Sequence, residues 1–146
     1  MTLHLEDVSP GQTFTSGTLT LSEADITGFA SQFDPQPFHL DATAARASLF
    51  GGLAASGWHT AALTMRLLVE SVPFAGGVIG AGAELSWPRP TRPGDTLQAT
   101  SEVLEVTASR SKPDRGIALV RTTTTNQHGE AVQIITAKIM LFRRSA

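Results

Sequence analysis

The sequence predicts an α+β fold, in which helices cover one face of an antiparallel β-sheet. One short strand pattern comes first, segments with helical periodicity follow, and four longer strand patterns complete the chain. Short turns separate the later strands, which suits antiparallel connections. The 146 residues are enough for a domain with a substantial core, so we expect a single domain over residues 1–146.

The composition excludes several classes of function. Hydrophobic residues make up 41% of the chain and charged residues 16%, which is ordinary for a globular protein. A net charge of −2 gives no electrostatic reason to expect nucleic acid or an anionic membrane as a partner. Cysteine is absent, which excludes disulfides, thiolate nucleophiles and cysteine-ligated metal sites. Because membrane-spanning and signal-peptide patterns are also lacking, we expect a cytoplasmic protein.

The first strand and the first helix follow from alternation and capping. Residues 12–21 are rich in Thr and alternate loosely, which predicts an edge strand. Ser22 can then cap a helix, and Asp25 occupies the reciprocal position of a capping box. The apolar face of this helix consists of Ile26, Phe29, Ala30 and Phe33. Pro35 ends the helix, so Asp34 should lie at or just past its C-terminus.

Two further helices are predicted before the remaining strands begin. Asp41 can cap a short helix that runs to Ser48. The longest helical pattern then extends from Gly57 to about Glu70. Its apolar positions are Trp58, Ala61, Ala62, Met65, Leu68 and Val69, with Leu63 and Leu67 beside them. This wide apolar surface predicts that the helix is the most buried one in the fold.

The second half of the chain is predicted to be almost entirely β-strand. The strand patterns cover residues 78–87, 96–107, 116–126 and 131–143. Turn sequences that contain Pro, Gly and Asp separate them. Between the last two strands, Gly129 can supply the positive φ that a tight hairpin loop needs.

The stretch Asp34–His39 (DPQPFH) is the strongest candidate for chemistry. Its two prolines fix φ, remove backbone donors and push the preceding residues toward extended conformations. We therefore expect a stiff loop that aims the Asp34 carboxylate and the His39 imidazole at one point. An acid–base pair is one interpretation of this arrangement. The other is a turn aspartate and a loop histidine that is bonded to the backbone.

This stretch and its surroundings resemble the MaoC-like dehydratases, or (R)-specific enoyl-CoA hydratases, over nearly the whole chain. That family's motif is an Asp, an Asn two residues later, a Pro, a His five residues after the Asp, and then Leu-Asp. The matching residues here are Asp34, Gln36, Pro37, His39, Leu40 and Asp41. Eighteen residues beyond the His, where the family's central helix begins with a Gly, stands Gly57. The resemblance implies a single MaoC-like hotdog domain over residues 1–146, with an antiparallel sheet wrapped around a long central helix.

The sequence departs from the family pattern at three positions. Gln36 replaces the usual Asn, Ser56 replaces a His that commonly precedes the Gly, and Met65 stands where some family hydratases have a pocket Ser. We expect these three residues to belong to the substrate pocket, together with Phe38 and Trp58. An altered lining implies an altered acyl group, whereas the acid–base pair itself is intact.

The resemblance implies reversible addition of water to a 2-enoyl-CoA thioester, with no cofactor beyond the coenzyme A of the substrate. Asp34 is then the base that activates water, and His39 relays the proton to carbon. The backbone N–H of Gly57, at the start of the central helix, is the expected oxyanion donor. The family also implies a homodimer or a dimer of dimers, with acyl-CoA as the ligand.

The sequence leaves the roles of several other residues and two rival functions open. No set of His, Asp and Glu has metal-ligand spacing, so we expect no metal site. His59 is interpreted as a core or interface histidine. Four cations could contact coenzyme A phosphates or simply be solvated: Arg89, Arg92, Lys112 and Arg115. The rival functions are an acyl-CoA thioesterase on the same fold and a non-catalytic acyl-thioester binding module. The acyl chain length and the choice between coenzyme A and acyl carrier protein are not determined by the sequence.

Overall fold

The computed structural model describes residues 1–145. Within that range the chain forms a short 3₁₀ helix (Leu5–Asp7), four α-helices and one five-stranded sheet. The elements in chain order are β1 (Thr13–Thr20), α1 (Glu23–Phe33), α2 (Pro37–Leu40), α3 (Ala42–Arg46), α4 (Gly57–Ser71), β2 (Ile79–Ser86), β3 (Thr96–Ala108), β4 (Arg115–Thr125) and β5 (Ala131–Phe142). None of the helices in these 145 residues is long and apolar enough to cross a membrane.

The sheet is antiparallel throughout and wraps around α4. Its strand order is β1-β3-β4-β5-β2, which places β1 at one edge and β2 at the other. Helix α4 packs on β1, β3 and β5. In the described part of the chain the hydrophobic core forms two clusters, one around Leu68 and Val72 near the end of α4 and one around Ile26 and Leu67. The predicted α+β architecture, with a sheet around a central helix, is confirmed.

Local signals placed the first helix correctly. The Ser22 hydroxyl accepts from the Asp25 N–H (3.1 Å), and the Asp25 carboxylate accepts from the Ser22 N–H (2.8 Å), which completes the predicted capping box. The predicted apolar face is only partly buried, because Ile26 is fully buried whereas Phe33 is 69% exposed. Phe33 lies in the last turn and packs on Phe29 (5.1 Å between ring centroids) instead of on the core.

The stretch that was expected to be a loop contains one turn of helix. Asp34 is the C-cap of α1, as predicted, but Pro37 begins the four-residue helix α2, which carries His39. The prediction overlooked that proline is well tolerated at the first helical position, where its missing N–H has no intrahelical acceptor. Asp41 then caps α3 by accepting from the Thr43 N–H (2.9 Å), as predicted.

Helix α4 has the predicted bounds, but only part of its predicted apolar surface is buried: Leu67 and Leu68 lie in the core, as expected. Trp58, Met65 and Val69 were expected inside, yet they are 62%, 45% and 50% exposed. The face that meets the sheet instead includes Thr60 and Thr64. Their hydroxyl groups pair with other threonine hydroxyl groups: Thr60 with Thr91 of the segment after β2 (3.0 Å), and Thr64 with Thr124 of β4 (2.6 Å). Hydrophobic periodicity does not detect a helix face that is buried through hydroxyl pairs.

The strands begin and end within one residue of their predicted positions. The loop between β4 and β5 closes with an Asn126 N–H to Glu130 O hydrogen bond (3.0 Å), and Gly129 has the positive φ that was expected (74°). Strand β1 is an edge strand, as predicted. Strand β2 is exposed along nearly its whole length in the single chain.

Candidate active site

Asp34 lies where α1 ends and Pro35 prevents the helix from continuing. Each oxygen of its carboxylate accepts a hydrogen bond. The Gln36 side-chain amide donates to Oδ1 (2.5 Å), and the Ser56 hydroxyl donates to Oδ2 (2.7 Å). Because these donors approach different oxygens, they fix the orientation of the carboxylate.

The pKa of the Asp34 carboxyl lies below its ordinary value of 3.8. Partial burial is the largest single influence and by itself raises this pKa. The hydrogen bonds from Gln36 and Ser56, together with the nearby His39, lower the pKa and outweigh the burial. Asp34 is therefore a carboxylate at neutral pH and can accept a proton.

His39 is held by a backbone carbonyl. The residue is only 5% exposed, and its Nδ1 lies 2.6 Å from Ala54 O. A carbonyl oxygen can only accept a hydrogen bond, so Nδ1 carries the hydrogen. The other ring nitrogen, Nε2, faces Asp34 Oδ2 at 3.4 Å. When His39 is neutral, both facing atoms are acceptors, which favours a shared proton or a donor such as water between them.

Gly57 is the first residue of α4, and its amide N–H finds no acceptor among residues 1–145. The indole of Trp87 lies directly over this glycine, because a Cβ added at Gly57 would be 2.6 Å from Trp87 Cε2. Trp87 is itself fixed, since its Nε1–H donates to Oε1 of the fully buried Gln133 (3.0 Å). Only glycine therefore fits at this position beneath the indole.

Asp34, His39 and Gly57 line one cavity of about 280 Å³. The other lining residues are Phe50, Ala55, Trp58, Thr60 and the segment 87–91. Ring side chains thus form much of the wall, and few polar groups converge on the space. Such a combination is typical of a small-molecule site.

Three of the predicted pocket residues, Ser56, Gln36 and Phe38, contact the acid–base pair from outside the cavity lining. Ser56 is fully buried and donates to Asp34, while Gln36 is exposed and contacts the same carboxylate. Phe38 packs edge-on against the His39 ring, with 4.6 Å between the centroids. These contacts orient the two titratable groups.

Of the remaining two predicted pocket residues, Trp58 lies at the cavity and Met65 does not. Trp58 lines the cavity and meets Trp87 edge-on, with 5.3 Å between the ring centroids. Met65 lies two helical turns further along α4 on its exposed face, outside the residues that line the cavity. The reason is that α4 directs Thr60 and Thr64 inward to Thr91 and Thr124, which leaves Met65 on the exposed side of the helix.

Phe50 and the segment Trp87–Thr91 line the cavity, although the sequence had pointed only to Arg89 among them, as a possible phosphate contact. One signal was available: this segment (WPRPT) has two prolines at alternating positions, as does the stretch that contains Asp34. Paired prolines stiffen a connection that follows a strand. Phe50 offered no comparable signal, because it reaches the cavity only through the path of the loop after α3.

His59 belongs to the core and is not among the residues that line the cavity. Its ring stacks on Phe29 with 4.6 Å between the centroids and 5° between the planes. Within the described residues its Nδ1 has no hydrogen-bond partner, so the histidine is buried but not fully satisfied. Burial lowers the pKa of His59, and the nearby Asp25 offsets that shift only in part.

The four candidate cations for phosphate binding have different surroundings. Arg89 lines the cavity and is 59% exposed, and it forms an ion pair with Glu130 (3.2 Å). The guanidinium of Arg92 donates to backbone carbonyls, including Gly52 O (2.9 Å), and is not free for a phosphate. Lys112 and Arg115 lie at the turn between β3 and β4, outside the cavity lining.

Comparison with known proteins gives consistent similarities. The profile of the family described as "MaoC like domain" matches residues 7–127. A solved structure of a MaoC-like dehydratase from Rhodospirillum rubrum is 59% identical, with a TM-score of 0.97 over 99% of both chains. The R-hydratase PhaJ1 from Pseudomonas aeruginosa is 29% identical, with a TM-score of 0.78, over 98% of this chain and 88% of that chain. The uncharacterized protein YdeM of Bacillus subtilis (strain 168) is 36% identical over 128 residues, which cover 86% of this chain and 89% of YdeM.

Proposed function

The chain belongs to the MaoC-like domain family, and from that premise we propose that it is an (R)-specific 2-enoyl-CoA hydratase, which also catalyses the reverse dehydration of 3-hydroxyacyl-CoA. Family membership confirms the resemblance found in the sequence and the hotdog fold, and it supports hydratase or dehydratase activity in general terms. One observation carries the finer proposal. Asp34 Oδ2 and His39 Nε2 lie 3.4 Å apart at the same cavity as Gly57.

The separation of the pair suits one bound water. Two atoms 3.4 Å apart can both lie within hydrogen-bond distance of a single water oxygen. In the hydration direction, the pair begins with its shared proton on His39 and a carboxylate on Asp34. The carboxylate takes a proton from water as the water oxygen bonds to the β-carbon of the enoyl group.

The second proton transfer completes the addition. The Nε2–H of protonated His39 delivers its proton to the α-carbon, which holds the electron pair of the former double bond. Asp34 then returns its proton to His39 across 3.4 Å, so the pair is restored and the net change is addition of one water. Dehydration follows the same steps in reverse.

Negative charge develops on the thioester oxygen when water attacks. The N–H of Gly57 fits this charge, because it is the first amide of a fifteen-residue helix and is unoccupied by any group among residues 1–145. A single backbone donor of this kind is worth roughly 3 kcal/mol of transition-state stabilisation. The absence of a side chain lets the thioester approach closely under Trp87.

The cavity supports a short acyl group on coenzyme A. Its volume of about 280 Å³ lies just below the usual range of small-molecule sites, so it can enclose the reacting part of the substrate but not the nucleotide. The phosphates would then lie near the cavity mouth. Arg89 is the candidate cation there, because its exposed ion pair with Glu130 is worth at most about 1 kcal/mol and can be exchanged for a phosphate.

A homodimer is part of the proposal. Strand β2 is an exposed edge strand, which presents unpaired backbone groups to a second sheet. Trp58, Met65 and Val69 form an exposed apolar stripe on α4 of the single chain. A twofold contact that covers this stripe would remove it from water. Sedimentation of the purified protein would decide between one and two copies.

Turnover of crotonyl-CoA is the direct test of the function. The conjugated enoyl-thioester absorbance should fall on addition of the protein, and 3-hydroxybutyryl-CoA of R configuration should form. Release of free thiol without hydration would identify a thioesterase instead. Tight acyl-CoA binding with no turnover for any acyl length would identify a binding module, and either result would reject the proposal.

A further inference from the structure

Arg92 restrains the loop of residues 50–53, which follows α3 and leads to the candidate active site. Its guanidinium donates hydrogen bonds to three backbone carbonyls of that loop: Phe50, Gly52 (2.9 Å) and Leu53 (3.3 Å). A planar guanidinium can serve several acceptors at once because its donors point in fixed, divergent directions. The loop contains Gly51 and Gly52, so its backbone needs such restraint more than most.

Ala54, the next residue of the loop, orients the ring of His39. Ala54 directly follows Leu53, and its carbonyl accepts the hydrogen of His39 Nδ1 (2.6 Å). The Ala54 N–H donates to Phe38 O (3.2 Å), so Ala54 is bonded to the helix turn that carries His39 on both sides. The position of this carbonyl decides which ring nitrogen of His39 faces Asp34.

Arg92 is itself held in place from the far side. Its backbone N–H donates to Oδ2 of the buried Asp95 (2.8 Å), and Oδ1 of Asp95 accepts from the Gln127 side chain (3.0 Å). The preceding residue, Thr91, accepts from the Ala55 N–H (2.9 Å). The backbone of Arg92 is therefore held rigidly, and its guanidinium in turn restrains residues 50–53.

We propose that Arg92 is a positioning residue for His39. Arg92 fixes residues 50–53 and thereby the carbonyl of Ala54 that follows them. Because that carbonyl accepts the hydrogen of His39 Nδ1, Nε2 is directed at Asp34 Oδ2. The inference rests on the proposed function, because it takes His39 to be catalytic. It gives Arg92 a role different from phosphate binding, and Arg92 is outside the residues that line the cavity.

The first test observes the imidazole directly and does not depend on turnover. In ¹⁵N-labelled protein, the ring nitrogens of neutral His39 should show the hydrogen on Nδ1 alone. Arg92→Met should give a mixture of the two tautomers, since Ala54 O is no longer held. Arg92→Lys, which can reach fewer of the carbonyls, should give an intermediate mixture. The matched control is Arg121→Met, which removes an exposed ion pair with Glu102 and should leave the His39 signals unchanged.

The second test separates positioning from substrate binding. Arg92→Met should lower kcat roughly 10- to 100-fold, as expected for a misplaced catalytic group, with little change in KM. Arg92→Lys should fall between this variant and the wild type. A raised KM with unchanged kcat would mean that Arg92 binds the substrate, and it would overturn the proposal. The proposal also fails if both folded variants keep the single Nδ1–H tautomer. An inactive wild type would reject the function, while the tautomer measurement would still test the role of Arg92.

Discussion

Ser56 donates a hydrogen bond of 2.7 Å to Asp34 Oδ2, the same oxygen that faces His39 Nε2. The same hydroxyl accepts from the Trp58 N–H and so caps α4. One side chain therefore joins the start of the central helix to the carboxylate. This connection fixes the distance between the Asp34 carboxylate and the Gly57 N–H, the two groups that the proposed reaction needs at one thioester.

Replacing Ser56 with Ala should move the acid limb of the pH–rate profile to higher pH. The Asp34 carboxylate is stabilised by this hydrogen bond, so its loss raises the pKa of Asp34 and protonates the base at a higher pH. The variant should also lose about 1 kcal/mol of stability as a helix cap. Ser22→Ala is the matched control, because it removes the cap of α1 at a distance from the site. It should lower stability similarly and leave the acid limb where it is.

Asp34→Asn and His39→Ala should each lower kcat roughly 10²- to 10⁴-fold with crotonyl-CoA, since each removes one proton-transfer group. Asp41→Asn and His128→Ala serve as controls. Asp41 caps α3 and His128 lies in the exposed β4–β5 turn, so both variants should keep nearly full kcat. Full activity in either site variant would show that the roles are assigned wrongly.

Gly57→Ala should inactivate the enzyme by displacing Trp87. The new methyl group would lie 2.6 Å from the indole, which must move and break its hydrogen bond to Gln133. Trp87→Leu in the same chain removes the obstacle and should restore part of the lost kcat/KM. Gly28→Ala is the control, since nothing lies within 4 Å of its added Cβ. That change should raise stability by up to about 1 kcal/mol, because alanine favours a helix over glycine.

Stability should decrease as the pH falls below the ordinary histidine pKa of 6.5, and His59 should account for part of the decrease. Burial lowers the pKa of His59, so the folded state binds this proton less tightly than the unfolded chain does. The contribution of neutral His59 to the free energy of unfolding is fully present above pH 6.5 and is lost as the pH falls below that value. Urea midpoints at pH 7.5 and 5.5 should therefore differ less for His59→Gln than for the wild type. The same change at exposed His128 should leave the difference intact.

The parts of the fold that sequence predicted well are those set by local chemistry. Ser22, Asp41 and Gly129 act on residues two to four positions away, so the pattern contains both partners. Strand bounds followed from alternation and turn residues for the same reason. The burial of α4 was mispredicted, because Thr64 and Thr124 form their hydroxyl pair across 60 residues of chain.

In the candidate site, too, local relationships could be predicted from the sequence and long-range ones could not. The proximity of Asp34 and His39 could be predicted, because one short proline-containing stretch carries both. The wall formed by Trp87 could not, since it depends on the strand order that brings β2 beside β5 and Gln133. The part played by Ser56 was also invisible in the sequence, because a helix cap and a carboxylate partner require the same residue type.

The hydroxyl pairs beneath α4 have a mechanical consequence. Aliphatic contacts are non-directional and tolerate sliding, whereas the Thr60–Thr91 and Thr64–Thr124 bonds have defined lengths and angles. A shift of α4 by a single residue would translate it by about 1.5 Å along its axis and break both bonds. The two hydroxyl pairs therefore set the position of α4 along its axis. The Gly57 N–H at the start of α4 therefore keeps its distance from the Asp34 carboxylate before any ligand is bound.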